Sequence, residues 1–223
     1  MLKLCAEDHS RVSAAIAAAE EKSDGEIIAI TADSSDSYHD VGLHYAVLVL
    51  FLVLAFFAAW PGQLEMWWSR LMGWTAEPTL RQLLTLLLGF ALLKFLAVLF
   101  ILKWIPLRLA LTPGSTKTRR VRRRAIMLFK AGGERRTVGR TAILIYLSMG
   151  EHRAEIVGDE AITRVTTPET WGEAMTALLT HVKAGRPGDG IVAAVEQIGA
   201  VLAEHFPKST HDTNEIPDKL IEL

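Results

Sequence analysis

The sequence predicts a single α/β domain interrupted by a transmembrane helical hairpin. Two long apolar runs, residues 43–60 and 83–105, occupy the middle of the chain. Strand-like segments lie on both sides of them, EIIAITA at 26–32 and TAILIYLS at 141–148, and each has helical periodicity beside it. A lone strand is not stable in water. The run at 26–32 therefore needs partners from beyond the hairpin, and one sheet is expected to form across the insertion, with helices covering it. The expected organisation is an N-terminal helix and first strand in 1–42, the hairpin in 43–105, the remainder of the domain in 112–206, and a polar tail in 207–223.

The elements follow in order. Residues 8–22 place Val12, Ile16 and Ala19 on one helical face, with Asp8 as a start signal and Ser23-Asp24-Gly25 as a stop. The first strand, 26–32, is followed by the polar loop DSSDSYHD. The run 43–60 has 18 residues and no formal charge, and as a helix it spans roughly 27 Å, enough for a hydrocarbon core. The run 83–105 has 23 residues, and neither run shows a polar face. The first 40 residues are acidic and polar, so the first span is read as internal. The intervening loop 61–82 begins with Pro61-Gly62. Together with Trp60 it brings Trp67, Trp68 and Trp74 to the far membrane surface; Trp104 sits at the other end of the second span. These five are expected as interfacial anchors, because tryptophan prefers the headgroup layer. A protein-binding cap is the alternative for the loop.

After the hairpin, Thr112-Pro113 opens a helix carrying Val121, Ala125, Leu128 and Phe129 inward and stopped by Gly132-Gly133. The strand 141–148 turns at Gly150-Glu151 into a third strand, 152–158. Thr167-Pro168-Glu169 starts a helix with Trp171, Met175, Leu178 and Val182 inward. After the turn Gly185-Arg186-Pro187-Gly188, Asp189 starts a last helix with Ile191, Val195, Ile198 and Leu202 inward.

The formal net charge of −1 conceals an asymmetry. Residues 1–42 hold 3 basic and 9 acidic side chains, whereas 103–140 hold 12 basic and one acidic. Only Arg70 and Arg81 lie between the spans. The positive-inside rule therefore places both termini in the cytoplasm. The block Lys117, Arg119, Arg120, Arg122, Arg123 and Arg124 lies close to the membrane in sequence and reads as a surface for anionic phospholipid. Pairing with the domain's own acidic faces is the alternative. No aromatic residue interleaves with these arginines, which argues against nucleic acid.

Other chemistry is sparse. The single cysteine, Cys5, excludes an internal disulfide and a cysteine-built zinc site. No HExxH, GxSxG or P-loop occurs. The turn 185–190 precedes a helix N-terminus but lacks the Lys-Ser/Thr of a phosphate loop, and reads as a helix–helix turn. Asp33, Asp36, His39 and Asp40 share one loop whose oxygens suit Ca²⁺ or Mg²⁺, but a solvated linker before the membrane helix is the reading the same residues favour. If a metal binds, Asp159 at the end of the third strand is the remote partner expected to join Asp33 and Asp36. Lys94, midway along the second span, is expensive in a bilayer. It reads as a snorkelling residue or as a contact to a partner or a second copy.

Several strings taken together resemble the TPM domain family in its bacterial membrane-protein form. They are the helix ending SDGEI, the helix RRVRRRAIMLF, the strand ILIYLS, the hairpin EHRAEIVGDEAI, Trp171, the turn AGRPGDG and the ending HFP…NEIPD. The family is named for thylakoid lumen proteins, a photosystem repair factor and a modulator of acetylcholine receptors. The resemblance covers about 1–42 and 112–223. It implies a three-layer α/β/α sandwich, split here by the hairpin. It also implies roles in membrane-complex repair or assembly and in receptor regulation and, in one branch, phosphatase activity with acidic metal ligands. The expectation is a bacterial inner-membrane protein that acts as a non-enzymatic scaffold or regulator, with no cofactor, anionic lipid and a membrane protein as partners, and the capacity to self-associate. A metal-dependent phosphatase on the acidic residues is the alternative.

Overall fold

The computed structural model describes residues 4–73, 77–132, 141–209 and 216–223; Trp74 and Gly133 lie outside the described residues. Chain order is α1 (Ala6–Glu20), β1 (Glu26–Ala32), α2 (His39–Ala59), α3 (Gly62–Met72), α4 (Leu80–Ile101), α5 (Ile105–Leu111), α6 (Gly114–Gly132), β2 (Ala142–Ser148), β3 (Arg153–Gly158), α7 (Glu160–Val165), a 3₁₀ turn (Pro168–Trp171), α8 (Gly172–Lys183), α9 (Pro187–His205) and β4 (Leu220–Glu222). The chain forms two compact units, one of Met1–Asp36 with Pro113–Leu223 and one of Ser37–Thr112.

The first unit is built on a mixed sheet of order β3-β2-β1-β4. β1 and β2 pair in parallel over their whole length, from Glu26↔Ala142 to Ala32↔Ser148. Both strands are buried at every residue, as expected of central strands covered on two faces. Alternation sorts their side chains. Ile27, Ala29, Ile143, Ile145 and Leu147 join α1, α8 and α9 in one core. Ile28, Ile30, Leu144 and Tyr146 join Val121, Ala125 and Phe129 of α6 in the other. The sheet is thus the middle of an α/β/α sandwich. α1 and α9 approach closely because residue 199 is glycine; a Cβ there would meet the Ala19 Cβ at 2.7 Å.

Three local starts differ from expectation. Asp8 is not the cap of α1 but its third residue, accepting the Cys5 N–H at 2.9 Å in a capping box. Thr112 does not cap α6, because its hydroxyl donates to the Arg108 carbonyl at 2.8 Å. A short helix, α7, follows β3, capped by the Asp159 carboxylate on the Glu160 N–H. The larger correction is at the far end. Residues 220–222, expected only as part of a polar tail, form a strand, β4, parallel to β1 from Ala29↔Leu220 to Thr31↔Glu222. Three residues give too little local pattern to show a strand; pairing on the β1 edge makes it one.

The second unit holds two helices long and apolar enough to cross a membrane, α2 and α4. α2 starts at His39 rather than 43, and α4 runs 80–101 rather than 83–105. The chain breaks at Leu102–Trp104 and restarts as α5, with Pro106 in the first turn, where its missing N–H is tolerated. Thr79 and Gln82 close a capping box at the start of α4. The two long helices lie side by side. Gly42 is near Leu102 at one end, and Phe57 stacks on Phe90 at 5.8 Å towards the other.

Candidate functional site at the carboxyl ends of the parallel strands

Ligands in open α/β sheets sit outside the carboxyl ends of the strands. Here that end of the first unit carries a closed polar network. Ser148, the last residue of β2, is fully buried and donates from Oγ to Glu151 Oε2. Glu151 Oε1 accepts the Ser35 N–H at 2.9 Å, and Ser35 Oγ lies 3.1 Å from the buried Tyr146 hydroxyl. Burial raises the Tyr146 pKa; the Ser35 hydrogen bond opposes that shift and the Glu151 charge adds to it. Backbone bonds continue the ladder past the strands, from the Gly150 N–H to the Asp33 carbonyl and from the Met149 N–H to the Ala32 carbonyl. The loop after β1 is thus pinned to the β2–β3 turn. Sequence reading missed Tyr146, Ser148 and Glu151. The sole signal was a tyrosine and a serine in an otherwise apolar strand.

The three acidic residues expected to share a metal do not meet. Asp33 follows β1 and lines an open cavity of about 300 Å³ with Leu4, Thr31, Met149 and Glu222. Asp36 lies in the same loop and pairs with Arg120 at 2.9 Å. Asp159 is at the opposite end of the sheet, where its N–H bonds the carbonyl of Ala142, the first residue of β2. A seven-residue strand, roughly 23 Å, separates it from Asp33. The antiparallel return of β3 causes this, because the end of the third strand is the beginning of the second. Among the described residues no group of three or more His, Cys, Asp or Glu side chains could hold a metal ion. His39 and Asp40 open α2 in the second unit.

The basic block is sorted by the helix that carries it. α6 buries Val121, Ala125 and Phe129 against the sheet. Arg120 turns to Asp36, and Arg124 lies near enough to Tyr146 to act on its charge. Arg122 is beside Glu155 of β3, whose pKa is raised by burial and held back by Arg122 and Arg153. Lys117 is half-buried. Arg119, Arg122 and Arg123 are exposed, and Arg119 and Arg123 line up with Met127 and Lys130, also exposed, at helical spacing along the outer face.

In the second unit, Lys94 is exposed on α4. Trp60 packs against Phe56 with ring centroids 5.3 Å apart, and Trp67 packs edge-on against Phe90 at 5.6 Å with Arg70 over its face. Trp67 therefore seats α3 on α4. Trp68 is half-buried on α3 and Trp104 is exposed before α5. Nothing in the local pattern singles out Arg108. It is buried on α5 and bonds the Leu102 carbonyl at 2.6 Å, the Ser37 carbonyl at 2.5 Å and His39 Nδ1 at 3.2 Å, tying together the ends of α2 and α4.

Comparison with known proteins follows the same architecture. No curated protein matches the chain. The solution structure of the BA42 protein from the psychrophilic bacterium Bizionia argentinensis aligns with a TM-score of 0.56 at 18% identity, over 99% of this chain and 95% of that one. That likeness shows a shared fold. Residues 108–201 match the family model described as the TPM domain. The match begins after the apolar helices, while α1 and β1, which complete the sheet, come from before them. Over residues 108–201 the chain is similar to the TPM domain.

Proposed function

We propose that this chain is a two-span protein of a bacterial cytoplasmic membrane with both termini in the cytoplasm. Its TPM domain scaffolds or regulates a membrane protein complex without turnover of a substrate, and docks on anionic lipid through α6. The observation that carries this reading is the exposure of the two apolar helices. Of their most apolar stretches, 22% of α2 and 6% of α4 is buried within the structure. Leu84, Leu88, Leu92 and Leu96 stand exposed in a row along α4. A soluble core helix buries such a row, and lipid supplies the missing cover. The Lys/Arg bias sets the orientation. The outer face of α6, where Arg119, Arg123 and Lys130 surround the half-exposed Met127, suits a headgroup layer. Each cation near such a surface adds about 1 kcal/mol. Lys94 is then a contact to a membrane partner or a second copy.

Full-length protein with a polarity-sensitive dye at Met127→Cys, in a Cys5→Ser background, tests the docking. The dye signal should shift in vesicles containing anionic lipid and not in neutral ones. The Arg119→Gln/Arg123→Gln pair should abolish the shift, and an unchanged signal would sink the lipid-docking part. Co-purification in mild detergent tests the scaffold. A stoichiometric membrane protein supports it. Bound Ca²⁺ or Mg²⁺ without a partner, with phosphate-ester turnover lost in Asp33→Ala, would replace it with the metal-dependent phosphatase reading, working from Asp33 and Asp36 without Asp159.

A further inference from the structure

The sheet ends on one side in β4, a strand of three residues, and on the other in β3, a strand of six. The Asp159 N–H on the Ala142 carbonyl sets the phase of the β2–β3 ladder. In an antiparallel pair, alternate residues turn their backbone groups to the partner strand. Arg153, Glu155 and Val157 therefore aim theirs at β2, while Ala154, Ile156 and Gly158 aim theirs away. Among the described residues no group bonds these outward N–H and C=O groups. Two of the devices that blunt a sheet edge are missing from β3. It contains no proline, and its pairing with β2 runs without a bulge.

The charges on this edge are unmatched as well. Arg153 and Glu155 lie two residues apart, hence on one face of the strand, and both are half-buried. The Arg153 guanidinium lies beside Gly114 of α6, where a Cβ would meet Nη2 at 3.3 Å, and its Nε is buried with no hydrogen-bond partner. Among the described residues, neither the Arg153 nor the Glu155 side chain takes part in a hydrogen bond or an ion pair.

We propose that the β3 edge is an interface for a second copy of this chain, which adds its own β3 antiparallel across the edge, with the two Ala154 residues on the two-fold axis. Charge selects this occupant and this register. With Ala154 facing its mate, Arg153 of each copy stands opposite Glu155 of the other. Those positions share no hydrogen bonds across the new pair, so their Cα atoms come within about 4.5 Å and their side chains are closest. The N–H and C=O of Ala154 bond those of its mate, once in each direction. A slide that puts Glu155 on the axis sets carboxylate against carboxylate. With Ile156 on the axis, Glu155 meets Val157, and Arg153 meets Asp159, whose carboxylate is already taken up by the Glu160 N–H. A foreign strand would need the same two charges in the opposite order, and β3 supplies them itself. His152, at φ 49°, turns the chain away and keeps the ladder short, so the two ion pairs decide whether it forms. The pairing belongs to the first unit and does not rest on lipid docking.

The test is co-capture of full-length protein carrying two different affinity tags, mixed in detergent micelles over a range of concentrations. The parent should capture itself. Arg153→Glu sets acid against acid and Glu155→Arg sets base against base, so each variant alone should self-associate roughly tenfold more weakly. Mixed with one another, the two variants restore both ion pairs, and co-capture should return to the parent's level. A variant that had merely misfolded could not recover on mixing. Protection of the Ala154 amide from hydrogen exchange should rise with protein concentration in parallel. A parent that does not capture itself, variants that capture themselves as well as the parent does, or a mixture no better than its components overturns the β3 interface. Association through the apolar helices alone would leave every combination equal, and so counts against it.

Discussion

At the carboxyl ends of β1 and β2, the buried Tyr146, Ser148 and Glu151 and the half-buried Ser35 donate to and accept from one another. At the amino ends of the same strands, Glu20 has one oxygen bonded to the Ile27 N–H and one buried with no hydrogen-bond partner among the described residues. Each end uses a buried glutamate to hold a loop. Glu151 is matched with a hydroxyl and an N–H, which donate. The second Glu20 oxygen has no donor among the described residues, and burial pushes its pKa up. A buried polar group with donors around it fixes a conformation, whereas a carboxyl left without them makes the conformation depend on the solvent's proton activity.

Removing the matched glutamate should do the most harm. Glu151→Ala leaves the Ser148 hydroxyl and the Ser35 N–H without their acceptor. With each buried orphan costing about 1–3 kcal/mol, the loss should be roughly 2–4 kcal/mol, read from the exchange protection of β2. The unmatched glutamate should respond through pH instead. The Glu20 pKa is raised in the folded state, so folding takes up a proton. Stability should then decline as pH rises from about 4.5 to about 8, and level off above. Glu20→Gln should flatten that decline, measured as the pH dependence of the unfolding midpoint. The smallest change is Tyr146→Phe, which removes one hydroxyl and leaves the ring packed. It should cost about 1 kcal/mol and leave the pH dependence set by Glu20 untouched. Equal pH slopes in the Glu20→Gln and Tyr146→Phe variants would erase the distinction between the two ends.

Much of the fold is legible in local pattern. EIIAITA and ILIYLS are strands because apolar, β-branched runs bounded by turns have few other uses, and the β2–β3 hairpin follows from Gly150-Glu151. α2 and α4 announce themselves by length and uniform apolarity. The sites were far less legible. Asp33, Asp36 and Asp159 share a residue type, but β3 runs antiparallel and carries Asp159 to the wrong end. Ser35 and Glu151 are 116 positions apart, and His9 and Glu222 are 213 apart. No periodicity links such pairs.

The sequence by itself determined three of the strands and most of the helices, where the chain is interrupted by apolar helices, and that its densest basic block lies in one helix. Those properties depend on side-chain period and composition over ten or twenty residues, which a linear reading samples directly. The tertiary structure decided that residues 220–222 would be a fourth strand, that Arg120 turns to Asp36 while Arg119, Arg122 and Arg123 are exposed, and that one Glu20 oxygen would be buried with no hydrogen-bond partner among the described residues. Each depends on strand order and helix rotation against the sheet. Those are settled by burying the two apolar faces of β1 and β2 together, and the polar residues take whatever neighbours that packing leaves them.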